Sequence, residues 1–204
     1  MARPASDIRE RLVDAARTRF LNEGVDGASL RDIARDAGTS LGMVVYYFPK
    51  KADLFLAVVE GVYGPLLADV VRRLGAAEGT RERLRSVIVR LADADARELQ
   101  VLRLIAREAI GSTKQRRRIV RRFMNGHVPH LMAVLAEGVH RGELEASIPV
   151  PLLLIVFVAL GGLPQVVRRA VGSRAGFALP GKEALADLSM EIFFRAVGRQ
   201  PVTP

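Results

Sequence analysis

The sequence predicts an all-α protein, and three observations support that prediction. Apolar residues recur every three to four positions along most of the 204 residues, which is the period of an amphipathic helix. Start and stop signals, such as Ser29 before an apolar run and Gly38 after one, divide this pattern into segments of helical length. No segment alternates in the way that a half-buried strand does before a hairpin turn.

The first 38 residues predict two helices. Residues 7–22 place apolar side chains on one face and charged ones elsewhere, and Gly24 ends this helix. Ser29 to Asp32 form a Ser-x-x-Asp start signal for the second helix. Gly38 suits the left-handed position that follows a helix, so the second helix ends there.

A very short third helix and a long fourth helix follow. Thr39 or Ser40 caps the third helix, which ends before Pro49 because a residue that precedes proline avoids the helical region. Residues 50–74 then read as one long helix. Pro65 lies in its middle, where we expect a kink that acts as a hinge.

The rest of the chain predicts six further helices, at residues 81–96, 98–110, 114–125, 127–141, 151–171 and 183–198. Residues 148–163 carry no charge and form the longest apolar stretch. This stretch has 16 residues, whereas a membrane span needs roughly 20. We therefore expect it to be buried on all sides within a helical protein or between subunits, with a membrane span as the alternative.

Composition excludes several classes of function. The chain has no Cys and only three His, so thiol chemistry and Cys-ligated metals are excluded and we expect no metal and no cofactor. No nucleotide-binding loop, catalytic triad or carboxylate pair is visible, which argues against an enzyme. The N-terminus has no apolar signal segment, which predicts a cytoplasmic location and no membrane partner. The net charge of +9 favours an acidic ligand, a nucleic acid or a membrane surface.

The three N-terminal helices form a helix-turn-helix pattern. The second and third helices are joined by only four residues, Ala37 to Ser40. A short helix held in this way fits the major groove, about 12 Å wide, and presents a few side chains to base edges. The sequence therefore predicts a DNA-binding head.

Residues 29–55 resemble the DNA-binding segment of TetR-family transcriptional regulators. The matching positions are Ile33-Ala34, Ala37-Gly38, Ser40, Gly42, Tyr46-Tyr47-Phe48, Lys51 and Leu54-Phe55. The resemblance implies about nine helices, with a DNA-binding domain at 1–50 and a ligand-binding and dimerisation domain at 51–204. It further implies a homodimeric repressor that binds double-stranded, near-palindromic operator DNA and is released by a small-molecule inducer. An activator, or a regulator that binds an anionic ligand such as an acyl-CoA, is the alternative.

The resemblance also assigns residues to the DNA. The DNA contacts expected are Ser29, Arg31, Thr39, Ser40, Leu41, Gly42, Met43, Val45, Tyr46, Tyr47 and Lys51. The family commonly has Tyr where this chain has Val45, and often a polar residue where it has Leu41. The recognition helix therefore has few hydrogen-bond donors, and we expect it to use thymine methyl groups, Arg31 and DNA shape. Ile33, Phe48, Leu54 and Phe55 are expected in the core of the head.

The body is expected to hold an inducer and to dimerise. The pocket candidates are Leu102, Arg103, Ile105, Ala106, Arg107, Phe123, His127, His130, Leu131, Val134 and Phe157. The dimer candidates are Leu153, Val156, Leu160, Leu185, Leu188, Ile192 and Phe193. For most of the pocket candidates the simpler interpretation is ordinary core, although an inward His130 would suit a pocket.

The surplus of positive charge does not lie in the predicted head. Residues 1–68 carry nine basic and nine acidic residues, whereas residues 69–122 carry fifteen basic and seven acidic ones. The most basic stretch is 114–122, which predicts an amphipathic helix. Its charged face has three interpretations: a solvated surface, a site for an anionic inducer or acidic partner, and a second nucleic-acid contact.

Overall fold

The computed structural model describes residues 5–76, 79–111, 113–171 and 179–198, and within them the chain is all-α as predicted. The helices are α1 (Ala5–Gly27), α2 (Leu30–Asp36), α3 (Leu41–Tyr47), α4 (Lys51–Leu74), α5 (Thr80–Ala92), α6 (Ala96–Gly111), α7 (Thr113–Met124), α8 (His127–His140), α9 (Val150–Phe157), α10 (Leu163–Val171) and α11 (Lys182–Val197). A π-helical turn, Val158–Gly162, joins α9 to α10. The described residues thus form ten continuous helices, close to the nine that the family resemblance implies.

Two helix boundaries have identifiable local causes. Gly24 interrupts α1 with φ 80° and ψ 166°, so the helix proper ends where predicted and residues 25–27 form a separate turn. The break between α5 and α6 lies at residues 93–95, whereas the sequence predicted it at residue 97. The reason is a reciprocal cap: Glu98 N donates to Asp95 Oδ1 at 2.7 Å, and Asp95 N donates to Glu98 Oε2 at 2.9 Å.

The chain packs as two compact units. Unit 1 comprises residues 1–66 and 95–122, and unit 2 comprises residues 67–94 and 123–204. By packing, α6 and almost all of α7 therefore belong with the helix-turn-helix, although the sequence assigned them to the body. The helix α4 continues through Pro65 without a break, and the boundary between the units falls beside it, at Leu66.

The core of unit 1 is built from the apolar faces of α1 to α4. Leu12 and Phe20 from α1, Ile33 from α2 and Phe55 from α4 are fully buried, and Val44 adds the buried face of α3. The rings of Phe20 and Phe55 meet edge to face, with 6.3 Å between their centroids. Ile33, Phe48, Leu54 and Phe55 are buried, so their predicted place in the core is confirmed.

In unit 2, α5 packs against α8, α11 and the π turn. Phe157 and Phe193 meet edge to face at 5.9 Å in its centre. A part-buried polar link borders this core: the buried Arg83 donates to Glu137 Oε2 at 2.5 Å and to the carbonyl of Leu74 at 3.3 Å. This link holds the pKa of Glu137 below its usual value, chiefly because of the hydrogen bond from Arg83.

The long apolar stretch is not buried on all sides in the single chain. Leu153 and Phe157 are buried, but a continuous opposite face is exposed, formed by Leu152, Ile155, Val158, Leu163, Val166 and Val167. By length and composition alone, two helical segments are long and apolar enough to cross a membrane, Lys51–Leu74 and Val150–Arg169. Only 22% of the second window is buried within the single chain.

The π turn offers a matched test of the packing in unit 2. An added Cβ on Gly161 would lie 2.5 Å from Ile88 Cδ1, whereas one on Gly162 would meet nothing within 4 Å. Because Ile88 is buried, we expect Gly161→Ala to lower the free energy of unfolding by about 1–3 kcal/mol. Gly162→Ala should be neutral or stabilise by up to about 1 kcal/mol. Denaturant unfolding at one protein concentration measures both, and equal effects would contradict the assigned packing.

Candidate nucleic-acid interface

Each of the two short helices of the head begins with a serine cap. The hydroxyl of Ser29 accepts a hydrogen bond from Arg31 N at 3.2 Å, and that of Ser40 accepts one from Met43 N at 3.3 Å. Both serines have extended backbone, as N-cap residues require. Both caps therefore lie where the sequence predicted them, and Ser40, not Thr39, caps α3.

The turn between α2 and α3 is fixed by α1. Gly38 has φ +61°, a conformation that disfavours any side chain, and an added Cβ would lie 3.3 Å from Arg11 Nη1. That nitrogen donates to the carbonyl of Ala37 at 2.8 Å. Arg19, also on α1, grips Asp36 with two hydrogen bonds of 2.6 and 3.0 Å. This contact holds the pKa of Asp36 below its usual value.

The predicted recognition helix α3 presents an exposed and uncharged surface. Tyr46 is 76% exposed, Val45 47% and Leu41 37%, and Gly42 is exposed beside them. Thr39, Met43 and Tyr47 are half-buried. The rings of Tyr46 and Tyr47 meet edge to face at 5.1 Å. Because Val44 is buried and anchors the opposite side, this arrangement leaves methyl, thioether and hydroxyl groups facing outward.

Lys51 has a structural task that the sequence did not reveal. Its Nζ donates to the carbonyls of Asp26 and Ala28, at 2.8 and 2.9 Å. These carbonyls lie in the loop between α1 and α2, 23 to 25 positions earlier in the chain. The lysine thus fastens the start of α4 beside the cap of α2, and two of its three ammonium hydrogens are used.

Arg31 differs from the other arginines of α1 and α2. Arg11, Arg17 and Arg19 bond to carbonyls or to polar side chains, and Arg35 pairs with Asp32 at 2.6 Å. Arg31 is exposed, and among the described residues its side chain has no hydrogen bond or ion pair. Its guanidinium is therefore available to a partner.

The end of α1 is clamped by α6. Arg107 donates to the carbonyl of Leu21 at 3.0 Å and also to that of Phe20. The buried carboxylate of Glu108 accepts from Val25 N at 3.3 Å and lies 3.7 Å from Arg107 Nε. These contacts bind the last turn of α1 and the residue that follows its glycine interruption.

α7 is tied to α4 by its last turn. Arg122 makes two hydrogen bonds of 2.7 Å to the carboxylate of Glu60, and its guanidinium lies 4.4 Å from the ring centroid of Tyr63. The hydrogen bond from Arg122 lowers the pKa of Glu60. The predicted amphipathic helix has Ile119 on its buried side, whereas its neighbour Val120 is half exposed. The side chain of Lys114 lies outside the described residues.

Comparison with known proteins follows this geometry. Residues 12–58 match the family of bacterial regulatory proteins described as the tetR family. The helix-turn-helix of this chain is that of the TetR family. The matched residues run from the buried face of α1 to the first two turns of α4 and include the whole helix-turn-helix. The chain is accordingly a DNA-binding transcriptional regulator and not an enzyme.

Relatives extend the likeness along the chain. It is 28% identical to the HTH-type transcriptional repressor SCO4008 of Streptomyces coelicolor over 177 residues, which are 84% of this chain and 87% of that protein. It is 38% identical to the regulator SrpR of Pseudomonas putida, but only over 74 residues, 36% of this chain and 35% of SrpR. The fold resembles that of SmeT of Stenotrophomonas maltophilia, with a TM-score of 0.66, 21% identity and 97% and 95% of the two chains covered.

The pocket candidates divide between the two units and differ in burial. Ile105 in unit 1 and three candidates in unit 2, Leu131, Val134 and Phe157, are buried. Leu102, Phe123 and His127 are half-buried, whereas Arg103, Ala106, Arg107 and His130 are exposed. His130, which would have suited a pocket if it pointed inward, is thus exposed in the single chain. Arg107 is bonded to α1, so its side chain is a link between helices.

The dimer candidates differ in burial, and those on α9 lie one position along from the exposed residues of that helix. Leu153 and Phe193 have no exposed surface in the single chain, because they fill the core of unit 2. Leu188 and Ile192 are 45% exposed, and Val156, Leu160 and Leu185 are half-buried. The exposed face defined above on α9 and α10, from Leu152 to Val167, was missed. A helical period that counts the extra residue of the π turn would have predicted this exposed face from the sequence.

Arg107 and Arg103 provide a matched pair on α6. Both are exposed arginines one turn apart, but among the described residues only Arg107 has hydrogen-bond partners. We expect Arg107→Met to lower the free energy of unfolding by about 1–2 kcal/mol, because two hydrogen bonds from a charged donor are lost. Arg103→Met should change it by less than about 0.5 kcal/mol. Thermal and urea unfolding measure both, and an equal loss would refute the clamp.

Proposed function

We propose that the protein is a homodimeric repressor that binds a near-palindromic operator through α3 and is released by a small molecule. The observation that carries this proposal is the exposed, uncharged surface of α3, which begins at the Ser40 cap and follows a turn that Arg11 of α1 holds. Both the repressor SCO4008 and NicS, a repressor of Pseudomonas putida that is 24% identical over 91% of this chain, support the direction of regulation.

The proposed readout of bases rests on shape and methyl contacts. Leu41, Met43 and Val45 supply apolar groups for thymine methyls, and Gly42 allows close approach. Arg31 supplies the one unpaired guanidinium on α2, suited to a guanine edge or a phosphate. Thr39 and the Ser40 cap complete the proposed groove-facing set.

Backbone contacts are proposed for the hydroxyl and ammonium groups around α3. Ser29, with the free amides at the start of α2, suits a phosphate oxygen, as do the hydroxyls of Tyr46 and Tyr47. Lys51 retains one ammonium hydrogen beyond its two carbonyl bonds. It is held rigidly, so a phosphate contact there costs little side-chain entropy.

Dimerisation is proposed through the exposed apolar face of unit 2. This face lies on α9 and α10, from Leu152 to Val167, and Leu188 and Ile192 of α11 add to it. Soluble monomers rarely expose an apolar patch of this extent. A two-fold dimer presents two recognition helices to half-sites one helical turn, about 34–36 Å, apart, or a multiple of that. We place the dimer in the cytoplasm, where its operator lies.

Ligand response is proposed to act through α6. SmeT, whose fold this chain shares, has been crystallised with triclosan. A ligand that shifts α6 would move Arg107 and Glu108, and these hold the end of α1 directly. The ligand must bind the two states with different affinity, typically by 1–3 kcal/mol. The candidate side chains suit an apolar ligand, and an anionic one such as an acyl-CoA is the alternative. A promoter-fusion reporter distinguishes repression from activation.

The role of Arg31 is tested against its neighbour on α2. We expect Arg31→Ala to weaken operator binding roughly tenfold or more, since a base or phosphate contact of about 1–3 kcal/mol is lost. Arg35→Ala should have a smaller effect, because Asp32 already holds Arg35. Fluorescence anisotropy with an operator selected from random duplexes measures both. Similar affinity in wild type and Arg31→Ala would remove Arg31 from the interface.

The proposed dimer face is tested by a charge placed in its middle. Ile155 is 64% exposed on α9, so Ile155→Lys should cause dissociation into monomers because a buried lysine would lack a partner. Ile110→Lys is the control, since Ile110 is 85% exposed on α6 in the other unit. Sedimentation velocity gives the masses. A dimer that survives Ile155→Lys would show that association uses another surface.

A further inference from the structure

The structural division of the chain changes the interpretation of its charge. Within unit 1, residues 1–66 carry nine basic and nine acidic residues, and residues 95–122 carry nine basic and three acidic ones. The unit that holds the helix-turn-helix therefore has a net charge of +6, and all of the surplus comes from α6, α7 and the residues beside them. A DNA-binding unit whose own head is neutral thus gains its positive potential from helices outside that head.

Four arginines on α7 account for most of this surplus. Arg116, Arg117 and Arg121 are exposed, and Arg118 is half-buried. Among the described residues, none of the four has a hydrogen bond or an ion pair, and Arg118 Nη1 is buried without a partner. Most other arginines of unit 1 are matched to a carboxylate, a carbonyl or an aromatic ring, as Arg122 is to Glu60 and Tyr63.

These unmatched charges are costly to keep together. Arg117 and Arg121 are four positions apart on one helix, an arrangement of like charges that opposes helix formation. A line of phosphates is the partner that relieves such repulsion, because each guanidinium can bond a phosphate through two parallel N–H groups.

α7 is joined to α4 by its own last turn, and the helix before it is joined to α1. The preceding helix α6 clamps the end of α1 through Arg107 and Glu108. Its last residue, Gly111, lines a surface depression of about 340 Å³ together with Asp26 and Gly27, which lie just before the cap of α2. At the other end, Arg122 ties α7 to α4. α7 thus follows a helix that is bonded to α1 and is itself bonded to α4, so its arginines belong to the unit that carries the helix-turn-helix.

We propose that the face of α7 formed by Arg116, Arg117, Arg118 and Arg121 is a second DNA-contacting surface, which binds backbone phosphates that flank the operator core. The inference rests on the proposed operator binding through α3, and assigns to α7 affinity without sequence preference. Such contacts release counterions, so they appear in the salt dependence of binding. Charges beyond a Debye length of about 8 Å at physiological salt contribute little, so the flanking phosphates must lie close to α7.

The test compares two triple variants of the full-length protein that lose the same charge. Arg116, Arg117 and Arg121 are replaced by Gln in the α7 variant. Arg72, Arg141 and Arg195, exposed arginines of unit 2, are replaced by Gln in the control. Each is titrated across a salt series with the selected operator, once cut at its core and once extended by ten base pairs on either side. Circular dichroism verifies that both variants are folded.

For the extended duplex, we expect the α7 variant to lower the slope of log affinity against log salt by about 2–3, and to weaken binding about tenfold or more at low salt. The control should keep the wild-type slope. With the core duplex, the α7 variant and wild type should differ much less. Equal slopes for the α7 variant and the control on the extended duplex would overturn the proposal, and would leave an acidic protein or an anionic vesicle as the partner of this face.

The two proposals fail in different ways. If no sequence is enriched from random duplexes, operator binding by this protein fails. The α7 surface is then judged on a random duplex of forty base pairs, where the α7 variant should still have the lower salt slope. Conversely, if Arg31→Ala abolishes sequence preference while the α7 variant binds like wild type at every salt concentration, operator binding stands and the α7 surface is refuted.

Discussion

The carbonyl groups at the end of α1 are the constraint on which the DNA-binding unit depends. A helix leaves its last carbonyls without partners inside the helix, and the glycine interruption at Gly24 adds a loop whose carbonyls also need partners. Two cations from distant parts of the chain meet this need, Arg107 from α6 and Lys51 from α4. Three helices are thereby joined at one point, directly before Ser29. These polar contacts at the end of α1 thus help to set the position of α2 and α3.

Helix positions could be predicted well from the sequence because their signals are local. Ser29, Ser40 and Gly38 act on residues within four positions, so their roles are legible in the sequence alone. The partners of Lys51 and Arg107 are 23 to 87 positions away, and nothing near either residue indicates them. Both were therefore assigned to bound molecules, although their observed contacts are structural. The cap at Asp95 was within reach, since Asp95 and Glu98 have the spacing of a reciprocal cap.

The surface of α3 separates two properties that DNA-binding helices often combine. It carries no charged residue, so in the proposed complex it would contribute shape and methyl groups to discrimination between bases and little to attraction. Electrostatic attraction to DNA would then come from cations elsewhere on the same unit, whose surplus of positive charge lies on α6 and α7. In such a division, operator choice and overall affinity can vary independently, because different helices carry them.

The π turn of α9 and α10 has a consequence for how this chain tolerates changes in length. Its buried positions, Leu153, Phe157, Gly161 and Gln165, are spaced by four, whereas a regular helix returns to the same face every 3.6 residues. The π turn makes up this difference in spacing, because it accommodates one residue more than a regular helical turn. Loss of one residue within 158–162 would relax this turn to a regular helix and keep both faces in phase. The same loss within α11 would rotate every later side chain by about 100° and bring polar groups into the core.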